Sequence, residues 1–275
     1  MTAGKVDFTG VQSTMLVTLF LRALDAKERE PILGDRFAAE AVDRIEYDWT
    51  NLDKPIITRT RFTVTLRARQ FDDWTTDFLH RNPDATVLQL ACGLDSRAFR
   101  LDLPAGVHWF DVDMPDVMEL RRKLYHETDD YRMIAASVTD ETWLGEIPAD
   151  KPVLIIVEGL LMYLRETEVR QLLRRLTDHF RTGELIFDGV APWAAKTTQL
   201  LKKYLSRWYD YPAYWTATRD GSDIERWNSR LRYRDDVALM AQYERVPDPN
   251  KRRFYRAGSR FDWFKNFLRA FRADF

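Results

Sequence analysis

Five short apolar runs, each followed by a polar, helix-forming stretch, constrain this chain more than any other feature. They are TVLQLA (86–91), VHWFDVD (107–113), YRMIAASV (131–138), VLIIVEG (153–159) and GELIFDG (183–189). The fourth is apolar at nearly every position, the pattern of a strand covered on both faces. Between the runs lie helical segments such as RETEVRQLLRRLTDHF and DVMELRRKLYHE, the latter opened by Pro115. Proline suits a first helical turn because the N–H it lacks would go unbonded there anyway. Strands alternating with helices predict a parallel, doubly wound α/β sheet with right-handed crossovers.

The periphery reads differently. Residues 11–29 predict an amphipathic helix with Met15, Leu16, Leu19, Phe20 and Ala23 on one face, and further helices are expected over 36–47 and 58–80. Residues 1–82 then form an N-terminal helical lid and residues 83–190 a Rossmann-like core. After Val190 the rhythm breaks into a stretch rich in Trp, Tyr, Lys and Arg, expected to be a helical cap over 191–234. Residues 235–275 are expected to add two strands, near 238–246 and 268–275, that complete the sheet.

With 45% apolar and 13% aromatic residues, the 275-residue chain can bury a sizeable core and is not a disordered protein. A net charge of -1 argues against a nucleic-acid or membrane binder taken as a whole, so the expected partner is a small molecule. The last 25 residues are the exception, with eight Lys/Arg against two Asp. There the basic residues alternate with Phe and Trp, a pattern open to a nucleic-acid or anionic-ligand surface, with a solvated face over a core stripe as the favoured reading. The single cysteine, Cys92, allows neither an internal disulfide nor a Cys-based zinc site, and no metal is expected. The run MLVTLFL is too short to cross a bilayer, and a cytoplasmic location is expected. Nothing in the sequence specifies an oligomeric state.

Open α/β sheets bind ligands at the carboxyl ends of their strands. Those ends carry Gly93, Asp95 and Ser96, then Asp111 and Asp113, Ser137 and Asp140, Glu158, and Asp188. Twenty residues separate Gly93 from Asp113, the spacing at which a second-strand carboxylate can accept hydrogen bonds from ribose hydroxyls. The loop ACGLDS is poor in glycine, however, and Asp95 would set a negative charge beside any phosphate. A phosphate-free nucleoside cofactor fits better. S-adenosylmethionine (SAM) is one, and strand-end acids suit its two positive groups. For any single acid the plainer role is a helix cap, and Asp95 or Ser96 suits one for SRAFRL. An NAD-dependent oxidoreductase would need the glycines that are missing, and a non-catalytic binding module is the other rival.

The sequence also resembles the leucine carboxyl methyltransferase family, in its polyketide (tetracenomycin-type) O-methyltransferase branch. LACGLDSRAFRLD, WFDVDMPDVMELRRKL, ASVTDETWL and VEGLLMYL carry the likeness in order and spacing, joined upstream by GVQSTMLVTLFLRALDA, GDRFAAEAV and RARQFDDWTTDFL. The resemblance implies a class I SAM-dependent methyltransferase fold with an N-terminal helical lid, methylating carboxylates or hydroxyls of small molecules or of a protein C-terminus. It implies that Gly93 lines the methionine part of SAM, that Asp113 binds the ribose, and that Ser137 and Val138 flank the adenine. Glu158 takes the cofactor's amino group, and Arg67, or Arg69 if the alignment slips, pairs with its carboxylate. Ala91 stands in the cofactor loop where the family often has glycine, and its methyl is tolerable if its φ is negative. Ser137 stands where the protein-modifying branch usually has Asp, which points to a small-molecule substrate.

Methyl transfer from a sulfonium is an in-line displacement in which alignment is the enzyme's main task. A carboxylate acceptor is already ionised at neutral pH, whereas a phenol gains from a general base. None of the four histidines is expected at the crevice, which favours a carboxylate. Asp188 suits a base or a structural acid equally. Tyr163, expected at the start of the helix after Glu158, is the best single catalytic candidate. Thr14 on the lid helix is expected near the cofactor. Lys202, Lys203, Tyr204, Arg207, Trp208, Tyr211, Tyr214 and Trp215 make either a substrate wall or a hydrophobic cap with a wet rim. Cys92 reads as a small packing residue rather than a nucleophile.

Overall fold

The computed structural model describes residues 13–205, 216–218 and 220–275, with the backbone alone at 198, 199 and 201–205. Helices α1 (Ser13–Ala26), α2 (Arg36–Arg44), α3 (Pro55–Thr58) and α4 (Arg61–Arg81) precede the first strand, β1 (Thr86–Leu90). Then follow α5 (Arg97–Arg100), β2 (His108–Asp113), α6 (Pro115–Leu124), β3 (Tyr131–Ala135), β4 (Val153–Val157), α7 (Glu166–His179) and β5 (Gly183–Val190). The chain ends with α8 (Pro192–Leu205), α9 (Ser222–Trp227), β6 (Arg232–Ala238), α10 (Pro249–Gly258), α11 (Asp262–Lys265) and β7 (Leu268–Asp274).

The sheet order is β3-β2-β1-β4-β5-β7-β6. β1 to β5 run parallel, as the five apolar runs predict, and β7 lies antiparallel to both of its neighbours. Successive side chains on a strand point to opposite faces, so two apolar layers form. Val87, Trp109, Leu154, Ile156 and Ile186 face the lid helices, while Leu88, Phe110, Val112, Ile155 and Phe187 face α7 and α9. Chain order reverses between β1 and β4, which opens a crevice at their carboxyl ends.

Local signals fix the helix starts. Asp35 accepts the Ala38 N–H at 3.0 Å and caps α2, and Asp248 does the same for α10 ahead of Pro249. Pro115 opens α6 as expected. β3 stops at Ala135, so Ser137 and Val138 lie in the turn beyond it.

The last third departs from expectation. The strand expected near 238–246 is β6 at Arg232–Ala238, and residues 239–245 form two 3-10 turns instead. β6 is an edge strand with four exposed residues, so RYRDDVA lacks the apolar alternation that marks a half-buried strand. The apolar LMA packs as a turn, with Leu239 and Met240 buried. The stretch expected as one cap divides: α9 buries Ile224 and Trp227 in the α7 layer, and Asn228 Nδ2 donates to Thr177 Oγ1 at 2.8 Å. Residues 206–215, and the side chains of Lys202, Lys203 and Tyr204, lie outside the described residues.

Candidate active site

The crevice at β1 and β4 widens into a cavity of about 530 Å³. The β1–α5 loop forms its floor. Ala91 (φ 49°) and Gly93 (φ 52°) both adopt left-handed backbone there. The condition set for Ala91, a negative φ, is therefore not met: the loop turns back so sharply that it holds an alanine in a region costing about 1–2 kcal/mol for a residue with a Cβ. A Cβ on Gly93 would also meet Met15 Cβ of α1 at 3.2 Å, so glycine lets the lid helix rest on the loop.

Asp113, at the end of β2, reaches across twenty residues and accepts the Gly93 N–H at 2.7 Å with Oδ2. Its Oδ1 accepts the Met114 N–H at 2.7 Å. Burial pushes this carboxyl up to about 6, a rise that the two backbone donors only partly offset. Arg121 holds the loop from behind, donating to the Gly93 carbonyl at 3.0 Å and pairing with Asp111. Asp111 also accepts from Tyr131 and Trp109 and is fully buried, so this strand-end acid belongs to the core and not to the cavity.

The far wall carries Glu158 and Arg67. Arg67 Nε donates to Glu158 Oε1 at 2.9 Å, and its Nη1 donates to Asp188 Oδ2 at 2.8 Å. Gly159 (φ 70°) brings the backbone so close that a Cβ would stand 3.4 Å from the guanidinium. Asp188 also accepts the Gly159 N–H at 2.6 Å and is buried behind Arg67, outside the cavity lining. It acts as a brace, not as a base at the crevice. Arg69 turns away, pairing with Asp73 at 2.9 Å one turn along α4, so Arg67 is the arginine of that segment on the cavity wall.

Behind the wall lies a buried ionic web absent from the sequence reading. Arg97, fully buried, joins Asp72 (2.7 Å), Asp95 (2.8 Å) and Glu158 (2.7 Å). Arg100 joins Asp72 and Asp95, and Arg22 of α1 joins Asp95 at 2.5 Å and donates to the Leu94 carbonyl at 3.0 Å. Burial alone would raise the Asp95 carboxyl, but Arg100, Arg97 and Arg22 outweigh it and hold it well below the carboxylate range. Arg67 and Arg97 likewise outweigh burial at Glu158 and keep it low. Asp95 is thus a charge hub, and neither it nor Ser96 caps α5, which has no side-chain cap. Ser96 Oγ instead donates to Asp35 at 2.5 Å. Because Asp95 is ionised and only accepts, Gln89 must turn its amide N–H to it (2.8 Å), leaving Gln89 Oε1 buried on the cavity wall without a protein donor among the described residues.

The remaining predicted residues also meet here. Ser137 and Val138 line the cavity, as do Ala91, Cys92, Thr14 and Tyr163. Tyr163 sits in a 3-10 turn, Leu161–Tyr163, ahead of α7 rather than in it. Asp140 is exposed and caps Thr142, away from the cavity. Burial pushes the Cys92 thiol well above its usual range, as suits a packing residue. No histidine or lysine lines the cavity among the described residues: His179 bonds the Ile147 carbonyl, and His126 edges a separate groove by α2. The residues fit SAM by their chemistry, since they set three carboxylates (Asp95, Asp113 and Glu158), two arginines (Arg22 and Arg67) and a buried orphan acceptor around one space.

Comparison with known proteins agrees. Residues 15–177 match the model of the leucine carboxyl methyltransferase family. The chain is 50% identical over 200 residues to the tetracenomycin polyketide synthesis O-methyltransferase TcmP of Streptomyces glaucescens, covering 72% of this chain and 73% of that one. It is 37% identical over 266 residues to the SAM-dependent methyltransferase dpfgK of Gibberella zeae, covering 88% and 87%. A crystal structure from Thermobifida fusca assigned as a methyltransferase superposes with a TM-score of 0.57 at 17% identity, covering 92% of this chain and 93% of that one, a likeness of fold. The sheet is accordingly that of class I methyltransferases, and the chain belongs to the leucine carboxyl methyltransferase family, a family of SAM-dependent methyltransferases.

Proposed function

We propose that the cavity binds SAM and presents to it a small-molecule, polyketide-like acceptor, with a carboxylate favoured over a hydroxyl. The observation that carries this reading is the convergence of Asp113, Glu158, Arg67 and the Gly93 loop on one space at the switch point of the sheet. In it, Asp113 accepts the ribose hydroxyls, Ser137 and Val138 flank the adenine, and Ala91 and Gly93 give the methionine part room. Glu158 takes the α-ammonium and Arg67 the α-carboxylate, to which a planar fork donor is suited. When bound, SAM supplies a methyl group on a positively charged sulfur.

The chain's own task is alignment. Positioning of this kind is worth roughly 7–11 kcal/mol of barrier. The absence of a lining histidine or lysine among the described residues supports an acceptor that arrives ionised, and Tyr163 is the residue we assign to orient it. The identity to a polyketide-synthesis enzyme and the serine at 137 support a small molecule over a protein terminus. Residues 1–82 would serve as the lid, through the α1 face of Thr14, Met15, Thr18 and Arg22.

Calorimetry with SAM on the wild type, Asp113→Asn and Glu158→Gln tests the cofactor roles, followed by a screen of aromatic carboxylic acids and phenols for methyl ester or ether. Micromolar binding weakened at least tenfold by each change, with ester as product, is expected. Binding without turnover on any acid or phenol leaves a binding module, and methylation of phenols alone reverses the acceptor preference.

A further inference from the structure

The basic aromatic tail plays no part in the cavity. Of the nine large apolar side chains exposed among the described residues, five lie together: Trp193, Phe254, Phe261, Trp263 and Phe267, from 37% exposed at Phe267 to 62% at Phe254. Except at Phe261, their rings form a series through Phe264. Phe267 meets Trp193 at 5.8 Å, Trp193 meets Trp263 edge-on at 6.0 Å, and Phe264 joins Trp263 to Phe254 at 5.8 and 5.9 Å. The result is a continuous apolar band across α8, α10 and α11, larger than scattered exposure produces.

Cations flank the band. Lys251, Arg253, Arg256, Arg260 and Lys265 are all exposed, and among the described residues Lys251 alone of the five has a carboxylate beside it, Asp248 at the start of α10. This is unusual in a chain whose other arginines are so often matched, down to the exposed Arg230 with Asp178 and Arg174 with the same acid. Two acids, Asp248 and Asp262, share the patch. The band also lies at the end of the sheet where the cavity opens, because Phe267 accepts the Ala191 N–H at 3.1 Å beside the carboxyl end of β5.

We propose that this band is a peripheral docking surface for an anionic lipid bilayer. Phenyl and indole rings sit at headgroup level, while Lys and Arg stretch apolar stems past them and place their charges at lipid phosphates. Charge complementarity selects this occupant. A second copy of the chain would bring four unmatched cations against four more, which an isologous contact cannot relieve. The whole-chain charge of -1 hides the surface because the excess of acid lies elsewhere.

The full chain is sedimented with vesicles of phosphatidylcholine alone or mixed with phosphatidylglycerol. Binding is expected to require phosphatidylglycerol and to weaken as salt is raised. Arg253→Glu with Arg260→Glu should lower the partition coefficient at least tenfold, since each basic residue is worth roughly fivefold at an anionic surface. Phe254→Ser with Trp263→Ser should lower it comparably. All four positions are exposed and outside the cavity, so melting temperature and SAM affinity should stay unchanged. Equal binding to both vesicle types, binding unmoved by the substitutions, or no binding overturns the proposal. So does a change of oligomeric state or of labelled-RNA binding without vesicle binding, which would assign the band to another occupant.

Discussion

Asp113 carries the sharpest pH signature at the residue scale. Its carboxyl is pushed up to about 6 by burial, while the acceptor role proposed for it needs the ionised form. SAM affinity should therefore hold near pH 7 and fall about tenfold per unit below pH 6, where protonation competes with binding. Asp113→Asn should bind at least tenfold more weakly and lose that pH dependence, as calorimetry from about pH 5 to 7 would read. Ala91 tests backbone strain in the same loop. Glycine at a φ of 49° escapes the Cβ penalty but loses more entropy on folding, so Ala91→Gly should stabilise by about 0.5–1 kcal/mol in urea melts. Here sequence reasoning reached its limit. The spacing from Gly93 to Asp113 was readable because a strand and a crossover fix it, whereas the φ of Ala91 depends on how tightly the loop turns, which no residue type reports.

Elements were legible in proportion to how their apolar residues repeat. β1, β2, β4 and β5 lie within two residues of their apolar runs because covered strands must be apolar. β6 escaped because an edge strand with a wet face writes no such pattern, and the 3-10 turn at 239–241 took the apolar run instead. The ionic web was equally illegible, since a sequence does not distinguish Arg97, fully buried, from Arg69 on the surface. The one available hint was the surplus of acids at the strand ends, which buried cations had to match. That web ties α1, α4 and α5 to β4 through Arg22, Asp72, Arg97 and Glu158. Removing one partner strands the others in a dry interior, so Arg97→Met should cost about 3–5 kcal/mol. Arg69→Ala should change stability by under about 0.5 kcal/mol. Paired denaturant melts of the two variants separate burial from mere charge.

Across the whole molecule, charge decides which adenosine-containing cofactor the crevice favours. Four arginines (22, 67, 97 and 100) face six carboxylates (35, 72, 95, 113, 158 and 188) in and behind the cavity, an excess of acid when all are ionised. SAM, with a sulfonium and an ammonium against one carboxylate, brings a net positive charge that this excess favours. NAD brings a pyrophosphate, and the loop meant to cradle it holds Asp95, ionised by three arginines that are already engaged. SAM at about 100 times its dissociation constant should stabilise the folded chain by roughly 2.7 kcal/mol. For a chain of this length that is a rise of about 5 °C in melting temperature. NAD at the same concentration should give no rise. Adenosine and methionine should each give less than SAM, because each engages one half of the wall, Asp113 or the Glu158–Arg67 pair. A rise with NAD and none with SAM would mean that the arginines, and not the carboxylates, set the sign of the crevice, and would return the chain to the oxidoreductase reading.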